Sequence, residues 1–213
     1  TLHNTLFPYT TLFRSPEVLT TFRNAYPEIH ILLKTGDAAN ALDRVRQSDA
    51  DISVAALPDS LPNGLTSTVI TMTPLVFIAP RVECALSPLL RQRPLPWEEL
   101  PLILPERGLS REWTDNWFRD KGIRPRIYAQ VSGNEAILAM VSLGCGIAVV
   151  PELVIEKSPV KNEVEALEYE PELKAYRVGL AARENTIGHP LINAFWTVAQ
   201  NCSEKSPAKA RHQ

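Results

Sequence analysis

Residues 27–57 read PEIHILLKTGDAANALDRVRQSDADISVAAL, and this stretch indicates the fold class. A mostly apolar run at Ile29–Leu33 is typical of a strand, and Ile52–Leu57 is typical of a second one. Between them Asp37 can cap a helix, whose inward positions are Ala38, Ala41, Leu42 and Val45. A strand, a helix and a strand in this order indicate parallel strands joined by a right-handed crossover. The stretch therefore predicts an α/β protein.

The same alternation continues on both sides of this stretch. Upstream, Ser15 can cap a helix with Pro16 at its first position, and this helix ends at Pro27. Downstream, residues 81–99 are polar and rich in proline, and they show no clear element. After them the pattern predicts a strand at Leu102–Leu104, a helix from Ser110 carrying Trp113, Trp117 and Phe118, a strand at Arg126–Val131, a helix ending at Leu143, and a strand at Ile147–Val150.

Two features predict that the chain passes twice between two lobes. Pro74 separates the extended runs Leu65–Thr71 and Leu75–Ala79, and a late strand is predicted at Tyr176–Ala181, ahead of a helix at Pro190–Gln200. We expect residues 16–73 together with 182–200 to form lobe one, and residues 76–176 to form lobe two.

The two ends of the chain differ from the rest. Residues 1–15 repeat Thr-Leu-Phe at Thr5–Phe7 and Thr11–Phe13 and show neither a helical nor a strand period. We interpret them as a non-native segment similar to translated adapter sequence; the alternative is a genuine ragged N-terminus. Residues 201–213 are rich in charged and small residues, and this composition predicts a disordered tail.

Composition excludes several functional classes. The net charge is −2, so no overall positive field attracts nucleic acid. The longest apolar stretch, Gly144–Pro151, is far shorter than the roughly 20 residues of a membrane span, and no secretory signal is recognisable. Three widely spaced cysteines favour free thiols, and with them a cytoplasmic location.

Three phrases in order resemble the effector-binding domain of LysR-type transcription regulators. They are FRNAYP at Phe22–Pro27, DISVA at Asp51–Ala55 and GCGIAVVP at Gly144–Pro151. The resemblance covers Ser15 to about Gln200. It implies a two-lobed, periplasmic-binding-protein-like (type 2) fold, each lobe a mostly parallel sheet flanked by helices, with a small ligand in the cleft between the lobes.

The resemblance also implies partners. The family's N-terminal winged helix-turn-helix is missing from this sequence, so DNA is expected to be bound only through that absent head. Effector domains of the family form homo-oligomers, and the candidate surfaces are the helices at Ser15–Tyr26 and Gly133–Leu143. No cofactor and no membrane partner are expected.

Further phrases resemble family members that activate branched-chain amino-acid synthesis, for which the implied effectors are the hydroxy-keto acids acetolactate and acetohydroxybutyrate. These phrases include TGDAA at Thr35–Ala39, SLGCG at Ser142–Gly146 and PLINAFW at Pro190–Trp196. The alternative is a solute-binding protein of an uptake system, a class that shares the fold.

Three loops are candidate ligand contacts, since each joins a strand end to a helix N-terminus. The ligand-binding residues that we predict are Thr35, Gly36, Arg107, Ser110, Ser132, Gly133 and Asn134. Each loop also has a structural alternative: Asp37 is an ordinary helix cap, Arg107 is a solvated surface residue, and Ser132 with Glu135 forms a capping box.

An enzyme is not predicted. His3, His30, His189 and His212 are scattered, and Cys145 has no base nearby in sequence. No HExxH, Walker or GxGxxG motif occurs. We therefore assign no catalytic residue and no metal ligand.

Overall fold

The computed structural model describes residues 4–7, 15–34, 40–167, 173 and 175–204. The chain divides into two compact units. Unit 1 comprises Thr1–Met72 and Tyr176–Gln213, and unit 2 comprises Thr73–Ala175. The chain leaves unit 1 next to Pro74, which separates two extended segments because it has no N–H for a sheet hydrogen bond.

The first part of unit 1 contains four strands and two helices. They are β1 (Asn4–Phe7), α1 (Ser15–Ala25), β2 (Ile31–Leu33), α2 (Ala41–Arg46), β3 (Ile52–Leu57) and β4 (Leu65–Thr73).

Unit 2 contains five strands and four helices among its described residues. They are β5 (Leu75–Pro80), α3 (Ser87–Leu90), β6 (Pro101–Pro105), α4 (Leu109–Asp120), β7 (Arg126–Val131), α5 (Asn134–Ser142), β8 (Ile147–Pro151), α6 (Glu152–Lys157) and β9 (Val164–Leu167). The chain then returns to unit 1 with β10 (Tyr176–Arg183) and α7 (Pro190–Glu204).

The sheet of unit 1 has the strand order β2-β1-β3-β10-β4. β1 pairs in parallel with both of its neighbours, so that Leu6 is opposite Leu33 on β2 and Ile52 on β3. The interpretation of residues 1–15 as lacking a strand is therefore wrong for Asn4–Phe7. Pairing on both sides can impose an extended conformation that local periodicity does not encode.

The sheet of unit 2 has the strand order β7-β6-β8-β5-β9. β6 lies parallel to β7 and β8, while β5 runs antiparallel to β8 and β9. The short helix α3 lies within residues 81–99, for which the sequence predicts no element, and four residues are too few to show a helical period. The mixed α/β fold class is confirmed.

Aromatic side chains form much of the core of unit 2. Phe77 on β5 contacts the rings of Trp97, Trp117 and Phe118 at centroid distances of 4.7, 4.9 and 5.9 Å. Of the three aromatic residues predicted on one side of α4, Trp117 and Phe118 are buried and Trp113 is half-buried. In unit 1 the equivalent contact joins two helices, because Phe22 on α1 packs edge-on against Phe195 on α7 at 5.1 Å.

Candidate functional site

Two strand-to-helix loops of unit 2 meet at one edge of its sheet. β6 and β7 are parallel neighbours, and their last residues, Pro105 and Val131, are directly paired. The Glu106 N–H continues this pairing by donating to the Val131 carbonyl at 3.3 Å. The loop before α4 and the loop before α5 therefore start side by side, at the carboxyl ends of the strands, where α/β sheets bind their ligands.

Each loop ends in a glycine that begins a helix. Gly108 is the N-cap of α4 with φ 91°, and Gly133 is the N-cap of α5 with φ 89°. At such positive φ values a side chain would strain the backbone, which accounts for glycine at both positions. Neither helix has a side-chain cap hydrogen bond.

The predicted capping box at Ser132 and Glu135 is therefore wrong. Gly133, one residue beyond Ser132, takes the N-cap position of α5, and its positive φ redirects the chain at that point. The first-turn N–H groups of α4 and α5 have no acceptor within the helix, and neither N-cap residue has a side chain that could supply one. Together with the positive ends of the helix dipoles, these N–H groups favour an anion.

Ser132 instead forms a hydrogen bond to the other loop. Its hydroxyl donates to Glu106 Oε2 at 2.8 Å, and both residues are exposed. This contact joins positions 26 residues apart in the chain. Sequence reasoning selected the loop that contains Glu106 but missed this residue. The usable signal was that a carboxylate directly follows the apolar strand β6.

Arg111 fixes the start of α4 to the ends of both strands. Its Nη1 donates to the Pro105 carbonyl at 3.1 Å and to Gln130 Oε1 at 2.9 Å, while its Nε pairs with Asp115 Oδ2 at 2.7 Å. The side chain is only 20% exposed. Arg111 therefore holds the two loops in register, a role that sequence reasoning did not assign. Arg107 lies exposed in the β6–α4 loop.

The remaining predicted residues of unit 2 lie in the first turns of the two helices. Ser110 is buried near the start of α4, where its carbonyl accepts a 2.6 Å hydrogen bond from the Thr114 hydroxyl. Asn134 is the first residue of α5 and is only 9% exposed. The structure thus brings Arg107, Ser110, Ser132, Gly133 and Asn134 to one edge of one sheet. The other two predicted residues, Thr35 and Gly36, lie outside the described residues.

This edge combines several hydrogen-bond donors with one carboxylate, that of Glu106. Hydroxyl, helix N–H and guanidinium groups suit a carboxylate, and the Glu106 carboxylate suits a hydroxyl donor. The described ranges contain no group of three or more His, Cys, Asp or Glu residues that could hold a metal ion. None of the described helices has the length and apolar character needed to cross a membrane.

Sequence comparisons place this chain in the LysR substrate-binding-domain family. A family model described as the LysR substrate binding domain matches residues 5–202. The chain is 37% identical over 186 residues to the HTH-type transcriptional activator IlvY of Haemophilus influenzae, covering 87% of this chain and 64% of that protein. It is also 37% identical over 189 residues to the HTH-type transcriptional regulator IlvY of Escherichia coli, with the same two coverages. The chain thus spans less than two thirds of the length of these relatives, and neither of them favours the alternative of an uptake protein.

Solved structures share the fold. The CcmR regulatory domain of Synechocystis in complex with 2-PG matches with a TM-score of 0.80 and 21% identity, over 97% of this chain and 99% of that one. The effector binding domain of QuiR in complex with shikimate matches with a TM-score of 0.76 and 18% identity, over 97% and 98%. These matches confirm the predicted two-lobed, type 2 periplasmic-binding-protein-like fold class.

Proposed function

Because the chain belongs to the LysR substrate-binding-domain family, we propose that it is the effector-sensing part of a transcription activator. In this proposal a small hydroxy acid binds at the carboxyl ends of β6 and β7, and its binding changes how the full-length protein acts on DNA. The 37% identity to transcription activators supports the regulatory role. It also favours a regulator over an enzyme.

One observation carries the proposed site. The loops before α4 and α5 are joined by the hydrogen bond from Ser132 to Glu106, above two helix N-termini that have no side-chain cap. The first-turn N–H groups of a helix have no acceptor within it, so they can donate to a bound carboxylate. Arg107 adds a positive charge from the same loop, and Ser110 and Asn134 add polar groups in the first helical turns. Thr35 and Gly36 remain proposed contacts from unit 1.

We propose acetolactate or acetohydroxybutyrate as the effector. The support is the resemblance to activators of branched-chain amino-acid synthesis and the identity to IlvY proteins. Both compounds carry a carboxylate for the helix N-termini and a hydroxyl and a ketone for the polar side chains. Two solved proteins of the same fold hold small molecules, 2-PG and shikimate.

Calorimetric titration of the chain with acetolactate tests the site. A hydrogen bond to a charged group contributes roughly 1.5–3 kcal/mol, so Ser132→Ala should weaken binding by about ten- to a hundredfold. Ser60→Ala is the matched control, because Ser60 is an exposed serine of unit 1 and lies outside the site. If Ser132→Ala and Asn134→Ala both bind acetolactate with unchanged affinity, the site assignment is wrong.

Assembly and DNA binding complete the proposal. We propose that the domain self-associates in the cytoplasm through α1 and α5, the latter exposing Glu135, Ala136 and Ala139. DNA contact would come from a segment outside this chain, because a net charge of −2 offers little to neutralise phosphates. A mobility-shift assay at about 0.1 M salt tests this division. Tight, salt-sensitive DNA binding by the 213-residue chain would contradict it.

A further inference from the structure

The Glu106 carboxylate is unusual for a site that is built to receive an acid. It projects from the loop between β6 and α4, next to the start of α5, and it is exposed. Its backbone is held in place, since the Glu106 N–H donates to the Val131 carbonyl at 3.3 Å. A negative group at this point repels an incoming carboxylate, so its presence calls for a compensating role.

The partner of Glu106 indicates that role. Among the described residues, the hydrogen bond that its carboxylate makes comes from a hydroxyl group, Ser132 Oγ, at 2.8 Å. An ionised carboxylate only accepts hydrogen bonds and has room for about four, so one bond from Ser132 leaves most of its capacity unused. The side chain is therefore an exposed acceptor that already binds an aliphatic hydroxyl.

We propose that Glu106 determines specificity by accepting a hydrogen bond from the hydroxyl of the bound acid. This inference rests on the proposed function and names the ligand hydroxyl as the group that the site recognises. The Ser132 hydroxyl is free to rotate about its Cβ–Oγ bond, so it can donate to the ligand carboxylate while the ligand hydroxyl donates to Glu106. Every donor then keeps an acceptor.

An acid without a hydroxyl cannot make this exchange. When the Ser132 hydroxyl donates to the carboxylate of such an acid, Glu106 loses its hydrogen-bond donor. Glu106 then also faces a second negative charge, that of the ligand. Sites that are built to bond a substrate hydroxyl discriminate strongly against analogues that lack it, because a polar group is left unpaired. The N-termini of α4 and α5 offset the repulsion between the two carboxylates but do not distinguish the two acids, since they contact the carboxylate common to both.

The test compares two stable acids that differ by one group. In 2-hydroxyisobutyrate a hydroxyl takes the place of one methyl of pivalate, so charge and size are nearly matched. We expect the chain to bind 2-hydroxyisobutyrate about tenfold more tightly than pivalate in calorimetric titrations. Glu106→Ala should bring the ratio of the two dissociation constants to about one. Glu106→Gln, which preserves the shape of the side chain, should lower the ratio and strengthen the binding of pivalate.

Glu112→Ala is the matched control. Glu112 is also exposed and lies in the first turn of α4, so its removal changes the net charge equally without altering the loop. The ratio should stay at its original value in this variant. The use of a ratio separates hydroxyl recognition from any general loss of affinity, and thermal melts of each variant check its folding.

The outcomes separate this inference from the proposed function. If acetolactate binds but Glu106→Ala keeps the preference for 2-hydroxyisobutyrate, the role of Glu106 is wrong and the proposed site stands. The role of Glu106 is equally wrong if acetolactate binds and the unchanged chain shows no preference, or binds neither simple acid. If none of the three acids binds, the proposed function itself is contradicted.

Discussion

The two units use the same strand pattern but stabilise it differently. In unit 1 the inner strand β1 lies parallel to β2 and β3, and β10 follows antiparallel to β3. In unit 2 β6 lies parallel to β7 and β8, and β5 follows antiparallel to β8. Four aromatic rings, Phe77, Trp97, Trp117 and Phe118, pack together beside the second sheet.

In unit 1 a polar contact joins a helix to the sheet. Arg183, at the end of β10, donates from Nη1 to the carbonyls of Val45 and Ala50 at 2.7 and 3.0 Å. Its Nη2 lies 3.7 Å from Asp51 Oδ1, and only 17% of the side chain is exposed. A single guanidinium thus joins the last turn of α2 to β10.

One sheet topology therefore does not require one kind of core. Aromatic packing distributes its stabilisation over several large side chains, because each of them buries a large apolar area. A half-buried guanidinium concentrates its effect in a few directed hydrogen bonds to backbone carbonyls. Substitutions in the two units should therefore differ in size and in their tolerance of conservative replacement.

The largest effect is expected at the aromatic cluster of unit 2. Phe77 is 4% exposed and touches all three other rings, so Phe77→Ala removes contacts and leaves a cavity. We expect the free energy of unfolding to fall by about 3–5 kcal/mol, measured by urea denaturation. Tyr128→Ala, at an aromatic residue that is 56% exposed on β7, should change it by less than about 0.5 kcal/mol. Equal losses in the two variants would disprove the special role of the cluster.

A second prediction compares the units at two glycines, Gly179 in β10 and Gly146 directly before β8. A Cβ on Gly179 of β10 would lie 2.2 Å from the Thr68 carbonyl oxygen, and one on Gly146 would lie 2.5 Å from that of Pro101. Backbone cannot give way as a flexible side chain can, so Gly179→Ala and Gly146→Ala should each destabilise by roughly 1–3 kcal/mol.

Thermal melts measure these losses. Gly188→Ala serves as the control, because nothing lies within 4 Å of its added Cβ. A melting temperature for Gly179→Ala as high as that of Gly188→Ala would show that β10 and β4 can separate without cost.

The third prediction concerns the polar contact of unit 1. Arg183→Met keeps the apolar stem but removes the donors to Val45 and Ala50, so we expect a loss of about 1–2 kcal/mol by urea denaturation. Arg177→Met is the control, since Arg177 is 39% exposed and donates to one carbonyl, that of Pro58, and to Asp59, which is 76% exposed. If Arg183→Met is as stable as the unchanged chain, unit 1 does not depend on this residue and the contrast between the units fails.

The smallest effect is expected at an exposed ion pair of unit 2. Arg91 and Glu83 form two short hydrogen bonds of 2.8 and 2.7 Å, yet their side chains are 68% and 73% exposed. Water and salt screen such pairs, so Arg91→Ala should cost less than about 1 kcal/mol in the same denaturation experiment. A loss comparable to that of Arg183→Met would mean that exposure does not separate the two kinds of arginine contact.

Sequence patterns predicted the elements whose own periodicity is strong. The local arrangement of apolar residues was enough to predict two features. They are the buried strand Ile52–Leu57 and the buried side of α4 at Trp117 and Phe118. β1 at Asn4–Phe7 and the short helix α3 were missed, because neighbouring strands or a few local turns define them rather than a repeating pattern. Gly133 explains the error at Ser132, since this glycine with its positive φ takes the N-cap position one residue beyond Ser132.

Periodicity and local motifs were enough to give the α/β class, the family and the loops that carry the candidate site. Which groups in those loops meet depends on the folded arrangement of the strands. Pairing of β6 with β7 places Glu106 within 2.8 Å of Ser132, and the same pairing lets Arg111 reach both Pro105 and Gln130. Strand order and register bring together residues that are distant in the chain, and neither composition nor local spacing encodes such a distance.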